Sequence, residues 1–218
     1  MRVAIAGSGA VGRSIALELV DNNHQVMLIE REVSNIDPES VEAAEWVHAD
    51  ACELASLEEA GLETCDVVIA ATGDDKVNLV VSLLAKTEFA VRRVVARVND
   101  PRNEWLFGEN WGVDVAVSTP RLLAALVEEA VAVGDLVRLM TFRQGQANLV
   151  EVTLPEDTPL AGQAVGGLKL PADSALVVVL RGGRVIVPQA DDALEPGDEL
   201  LFVATQAVED EIHAALGF

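Results

Sequence analysis

Arg2-Val3-Ala4-Ile5-Ala6-Gly7-Ser8-Gly9-Ala10-Val11-Gly12 is the stretch that decides the fold. Its first five residues read as a short buried β-strand, and the next six match G-x-G-x-x-G. Beyond the glycines, Val11, Ile15 and Leu19 recur every four residues with Ala16 and Val20 beside them, which is one apolar helix face. Gln25-Val26-Met27-Leu28-Ile29 is a second strand, and Glu30 stands at its C-terminal end. The order is strand, glycine turn, helix, strand, acid.

Each part of that order has a physical role. Gly7 permits the tight turn out of the strand, Gly9 lets a pyrophosphate approach the backbone, and Gly12 lets the helix pack close to the sheet. The helix N-terminus offers unpaired N–H groups and a partial positive charge to phosphates. Glu30 follows Gly12 by 18 residues and is placed to accept hydrogen bonds from ribose hydroxyls. An acid there disfavours a 2′-phosphate and so favours NAD or an adenosine nucleotide over NADP. Arg31 beside it is the residue type that holds such a phosphate, so the two neighbours pull in opposite directions. The plainer alternative is a strand-to-helix turn with no ligand.

Working outward, residues 33–45 are acidic and read as a loop or a short irregular helix. Trp46-Val47-His48 is a third strand running into Ala49-Asp50-Ala51-Cys52, and Leu54, Leu57 and Ala60 mark a short helix ending at Gly61. Residues 66–71 are a strand apolar on both faces, as a central parallel strand is. Thr72-Gly73-Asp74-Asp75 closes it, and residues 77–85 continue as a helix. Residues 94–98 are a fifth strand, a helix carrying Trp105, Leu106 and Trp111 follows Pro101, and residues 113–117 are a sixth strand. This alternation predicts an α/β domain, a Rossmann-like doubly wound parallel sheet over residues 1–117. In that fold ligands bind beyond the carboxyl ends of the strands, where Gly7 to Gly12, Glu30, Asp50, Thr72, Gly73 and Arg97 converge.

The pattern then changes. Residues 118–135 form an apolar-rich helix with Leu122, Leu123, Leu126 and Val127 on a broad face, read as a linker or dimerisation helix. Residues 136–142 and 149–153 alternate around Gln144-Gly145, and residues 175–181 and 185–188 flank Gly182-Gly183, a two-residue hairpin signal. Pro196-Gly197-Asp198 turns into a strand over 199–204, and Val208, Ile212 and Leu216 repeat on a final helix. Residues 136–218 therefore read as a small α+β domain.

Among the 218 residues, half are hydrophobic, enough for a sizeable core, and 15 Lys+Arg against 36 Asp+Glu give a formal charge of −21. Such a surface repels nucleic-acid backbones and offers no basic patch to anionic lipid. The N-terminus enters a strand directly, so no signal peptide is expected, and no apolar run reaches bilayer length, so no direct membrane insertion is expected. Cys52 and Cys65 lack a paired spacing and fit a reducing cytoplasm.

Hydride-transfer chemistry is poorly served. The chain has no tyrosine, its lysines are Lys76, Lys86 and Lys169, and its histidines are His24, His48 and His213. His48, Asp50 and Cys52 alternate at a strand end but make an unfinished metal set. Asp74-Asp75 reads as a helix N-terminus carrying acids that suit the dipole. The sequence thus has a nucleotide site and no evident reaction. A small NAD-dependent oxidoreductase and a free-standing nucleotide or cyclic-dinucleotide sensor are the alternatives.

Several of these residues together resemble a known family. The glycine turn, Glu30, His48-Ala49-Asp50-Ala51, Ala71-Thr72-Gly73-Asp74-Asp75 with Asn78, and Ala96-Arg97-Val98-Asn99 are similar to the N-terminal half of RCK domains, the regulators of potassium conductance. Pro159-Leu160-Ala161-Gly162, the Gly182-Gly183 hairpin, Val187-Pro188 and Leu194-Glu195-Pro196-Gly197-Asp198 resemble their C-terminal subdomain. The likeness covers nearly the whole chain and is nearest to the cytoplasmic regulatory subunits of Trk- and Ktr-type potassium uptake systems. It implies that Gly7, Ser8, Gly9, Ala10 and Val11 hold a pyrophosphate and that Glu30 binds ribose. It further implies that Asp50 and Ala51 flank the adenosine and that Thr72, Gly73 and Arg97 complete the site. Family members bind NAD(H), or ATP and ADP. Some carry an arginine within the glycine turn where this chain has Ala10, which favours NAD(H). The resemblance also implies a homodimer or higher ring, on the inner face of the membrane, bound to a membrane-embedded potassium-translocating subunit. It implies a switch, not an enzyme.

Overall fold

Residues 2–6, 25–30 and 67–70 are apolar at nearly every position, which suits strands buried on both faces. A computed structural model describes residues 1–131, 134–142 and 147–217 and divides the chain into two compact units, Met1–Pro120 and Arg121–Phe218. In the first unit β1 (Arg2–Ala6) leads into α1 (Ala10–Asp21), β2 (Gln25–Glu30), β3 (Glu45–His48), α2 (Leu54–Glu59), β4 (Val67–Ala70), α3 (Asp75–Thr87), β5 (Arg93–Val98) and β6 (Val115–Ser118). The six strands pair in parallel in the order β3-β2-β1-β4-β5-β6. The order reverses at β1, whose Ile5 lies opposite Leu28 on one side and Ile69 on the other.

Alternation along β1 feeds two cores. Val3 and Ile5 pack with Ile15, Ala16 and Leu19 of α1, while Ala4 and Ala6 join Leu57 of α2 and Leu79, Val81 and Ala85 of α3. Residues 33–45 hold two short 3-10 turns, Val33–Asn35 and Pro38–Val41, as the irregular reading anticipates.

Two local expectations need correction. The helix α3 starts at Asp75, two residues before the apolar repeat, because the Asp74 carboxylate caps it by accepting the Lys76 N–H at 2.8 Å. The expected helix after Pro101 is instead a pair of 3-10 turns, Pro101–Leu106 and Glu109–Trp111. Gly108 and Gly112 interrupt it, the latter at φ +72°, and the Asn103 amide is drawn away to Asp75 at 2.8 Å. Trp105 is left 81% exposed.

Helix α4 (Thr119–Val131) begins just before the division at Pro120, and the second unit continues with β7 (Val137–Thr141), β8 (Ala147–Thr153), β9 (Ser174–Arg181), β10 (Arg184–Ile186), β11 (Glu199–Thr205) and α5 (Glu209–Leu216). The strands form an antiparallel sheet ordered β10-β9-β11-β8-β7. Gly182 and Gly183 take φ +54° and +78°, as the primed hairpin turn requires. The turn read at Gln144-Gly145 lies outside the described residues. Ile212 and Leu216 of α5 pack against Leu160, Leu194 and Phe202, so the four-residue repeat on α5 is a core face.

Candidate nucleotide-binding cleft

The strands that diverge at the reversal open a cleft of about 620 Å3 at their carboxyl ends. Of the residues singled out above, Gly7, Gly9, Ala10, Val11, Glu30, Arg31, Asp50, Ala51, Thr72, Gly73 and Arg97 line it. Ser8 and Gly12 do not. Asn35, Ala49, Asp74 and Val77 also line it and were not singled out for it.

The glycine turn is tightly built on one side and open on the other. Gly7 sits at φ +100°, and a Cβ there would come within 3.0 Å of the Thr72 backbone. A Cβ on Gly12 would lie 1.9 Å from the Gly7 carbonyl oxygen. Gly9, the residue preceding α1, would present its Cβ to open space. The first helical bond of α1 runs from the Arg13 N–H to the Gly9 carbonyl at 3.0 Å. The N–H groups of Ala10, Val11 and Gly12 therefore have no intrahelical acceptor and carry the positive end of the helix dipole.

Ser8 faces the protein. It is fully buried, and its N–H and hydroxyl both donate to Oε2 of Glu30, at 3.0 and 2.8 Å. The Glu32 N–H donates to Oε1 at 2.9 Å. A carboxylate has about four acceptor positions. The Ser8 N–H and hydroxyl and the Glu32 N–H take three of them, and the Arg31 N–H acts on the same group, so the Glu30 carboxylate is held in place by its own neighbours. Burial alone raises the Glu30 carboxyl pKa, but the bonds from the Glu32 N–H and from Ser8 outweigh it and hold the group below the ordinary carboxylate value. The consequence for stability has a definite sign. A depressed folded-state pKa contributes stability above the ordinary value of 4.5 that is lost as pH falls through the folded value. Glu30→Gln is therefore expected to flatten the decline in thermal midpoint of the chain between about pH 5 and pH 3, measured by circular dichroism. An unchanged slope would show that the Ser8 clamp adds nothing.

The cations of the cleft differ. Arg31 is exposed and lies 3.1 Å from Glu32 and 3.8 Å from Asp50. The Nε of Arg97 is buried without a hydrogen-bond partner among the described residues. Thr72 meets the cleft with its polar atoms already engaged: its N–H and hydroxyl reach Asn78 Oδ1 at 2.9 and 2.7 Å. Asp75, read as a dipole-serving acid, is buried and accepts from the Asn99 and Asp100 N–H groups at 2.7 and 3.0 Å. His48 engages the Arg31 carbonyl at 2.9 Å.

A doubly wound sheet with an open glycine turn, followed by a small antiparallel unit, is the fold this chain shares with the GsuK RCK domain. The TrkA-N domain family matches residues 3–119 and the TrkA-C domain family matches residues 149–217. The chain is 65% identical over 216 residues to the Trk system potassium uptake protein TrkA of Mycobacterium tuberculosis, spanning 99% of this chain and 98% of the relative. Among solved structures it resembles the GsuK channel bound to NAD, with a TM-score of 0.74 at 18% identity over 100% of this chain and 39% of that one. A GsuK structure bound to ADP matches 59% of this chain and 34% of its own, with a TM-score of 0.51 at 27% identity. The chain belongs to the TrkA family of Trk system potassium uptake proteins. Among the described residues no helix is long and apolar enough to cross a membrane.

Proposed function

We propose that the chain is a nucleotide-responsive regulatory subunit that gates a membrane-embedded potassium-translocating partner from its cytoplasmic side, without catalysing a reaction. The observation that carries this reading is the cleft itself. N–H groups of α1 without an intrahelical acceptor, the open face of Gly9 and the Arg97 Nε, unpartnered among the described residues, address an anion, while Glu30 addresses a ribose. In this reading Ala10 and Val11 join Gly9 at the pyrophosphate, Asp50 and Ala51 flank the adenosine, and Thr72 and Gly73 supply the opposite wall. NAD(H) is the preferred ligand, with ATP and ADP as the other candidates; GsuK, which shares the fold, is described bound to NAD and to ADP. Calorimetry of the purified chain against NAD, NADH, ATP and ADP tests the reading, and no binding to any of them overturns it.

A ligand moves a partner only by binding two conformations with different affinity, which calls for an assembly that can change shape. Helix α4 supplies a candidate joint. Leu122, Leu123, Leu126, Val127 and Val131 are all exposed on it, with Leu123 at 62% and Val131 at 76%. We assign this face to a second copy of the chain, in a dimer or larger ring. Burying one leucine contributes about 1.5 to 3 kcal/mol. Leu123→Glu combined with Leu126→Glu is therefore expected to weaken self-association by about a hundredfold or more in sedimentation velocity. An unchanged sedimentation coefficient would remove α4 from the interface.

A further inference from the structure

The ladder between β4 and β5 stops at Ala70 and Ala96, whereas β5 continues beside β6 through Arg97 and Val98. Thr72 and Arg97, both on the cleft, lie past the end of that ladder. The gap is spanned by Asn78 on α3, which is fully buried. Its Oδ1 accepts the Thr72 N–H and hydroxyl at 2.9 and 2.7 Å. Its Nδ2 donates to the Thr72 carbonyl at 3.2 Å and to the Arg97 carbonyl at 2.9 Å. A backbone N–H on one side and two carbonyls on the other admit only one orientation of the amide, and all four of its hydrogen-bonding positions are used. Asn99 reinforces the tie by donating to the Thr72 carbonyl at 3.0 Å and to Asp75 Oδ1 at 3.0 Å. The first turns of α3 thus do past the ladder's end what strand pairing does before it.

The residue held this way is Arg97, whose buried Nε has no partner among the described residues. A buried donor on a cation is costly to leave unpaired and gains most from an anionic acceptor. We propose that Asn78 is a positioning residue for nucleotide recognition: its amide fixes the Arg97 backbone against Thr72 so that the Arg97 guanidinium meets a ligand phosphate. This rests on the reading of the cleft as a nucleotide site.

The test is a double-mutant cycle read by ADP affinity. Asn78→Ser is expected to weaken ADP binding about tenfold, the scale of losing a buried hydrogen bond to a charged site's support. Arg97→Ala weakens it at least as much. The double variant binds no more weakly than Arg97→Ala alone, because one residue acts through the other. A packing role independent of Arg97 would instead make the two losses multiply, and that result overturns the proposal. Asn78→Asp keeps the shape and the two bonds accepted from Thr72 while losing both donations, to the Thr72 and Arg97 carbonyls, and it runs the same cycle if the serine variant does not fold. A parent chain that binds neither ADP nor NAD overturns the functional reading and this proposal together. A parent that binds, with multiplying losses, overturns this proposal alone.

Discussion

Gly9→Asp is expected to abolish binding of NAD and ADP while leaving the fold intact. Gly9 has φ −65° and ψ −179°, an ordinary extended conformation, and its Cβ would enter open space, so nothing in the backbone resists the substitution. Aspartate is also a favoured residue at the position before a helix, where its carboxylate accepts the N–H groups of the first turn. The thermal midpoint is therefore expected to hold or rise slightly. Those same N–H groups are the ones a phosphate would use, and the new carboxylate both occupies them and repels the ligand. Losing two charge-assisted hydrogen bonds costs about 3 kcal/mol or more, which is over a hundredfold in affinity. Calorimetry checks the binding and circular dichroism the fold. If a stable Gly9→Asp chain bound NAD like the parent, the phosphate would have to lie elsewhere.

Arg181→Ala is expected to cost about 3 to 5 kcal/mol, because it strands a buried carboxylate. Asp198 is fully buried in the turn before β11. Arg181, at the end of β9, grips it with Nε at 2.6 Å and Nη2 at 2.7 Å, and the Glu195 N–H adds a bond at 2.8 Å. Nη2 also reaches the Ala193 carbonyl at 2.8 Å, so one guanidinium ties β9 to the whole 193–198 turn. Without it Asp198 keeps the Glu195 N–H and loses its counter-charge. Arg181→Lys should recover only part of the loss, since an ammonium cannot reproduce the fork. Chemical denaturation measures the loss, and hydrogen exchange should place it in β8, β9 and β11. A cost under about 1 kcal/mol would mean that water takes over the role of the guanidinium.

The first unit was largely legible because its signals are local. A strand, three glycines at fixed offsets and an acid at the next strand's end are chemistry that neighbouring residues impose on one another. The convergence of Glu30, Asp50, Thr72 and Arg97 followed from fold class, since parallel strands carry their ends to one edge. What the sequence did not show is where polar atoms point. The spacing of G-x-G-x-x-G cannot say that Ser8 turns its N–H and hydroxyl inward to Glu30. Nor can the apolar repeat of α3 show that Asn78 bridges two strands, because its partners lie 6 and 19 positions away. The helix expected after Pro101 failed for a related reason. The Asp100 backbone N–H and the Asn103 side-chain amide both donate to Asp75 across the sheet edge, and Gly108 breaks the run too early. Asn35 lines the cleft from an acidic loop whose composition carries no signal for a site.

The uneven crowding around the glycine turn also sets what can be redesigned. Positions 7 and 12 each admit a single residue, one for its backbone angle and the other for the carbonyl 1.9 Å from any side chain it might carry. Ala10, Arg31 and Asn35 instead face the cleft from exposed sites. A library aimed at changing ligand preference would waste its diversity on the glycines and should be confined to the rim.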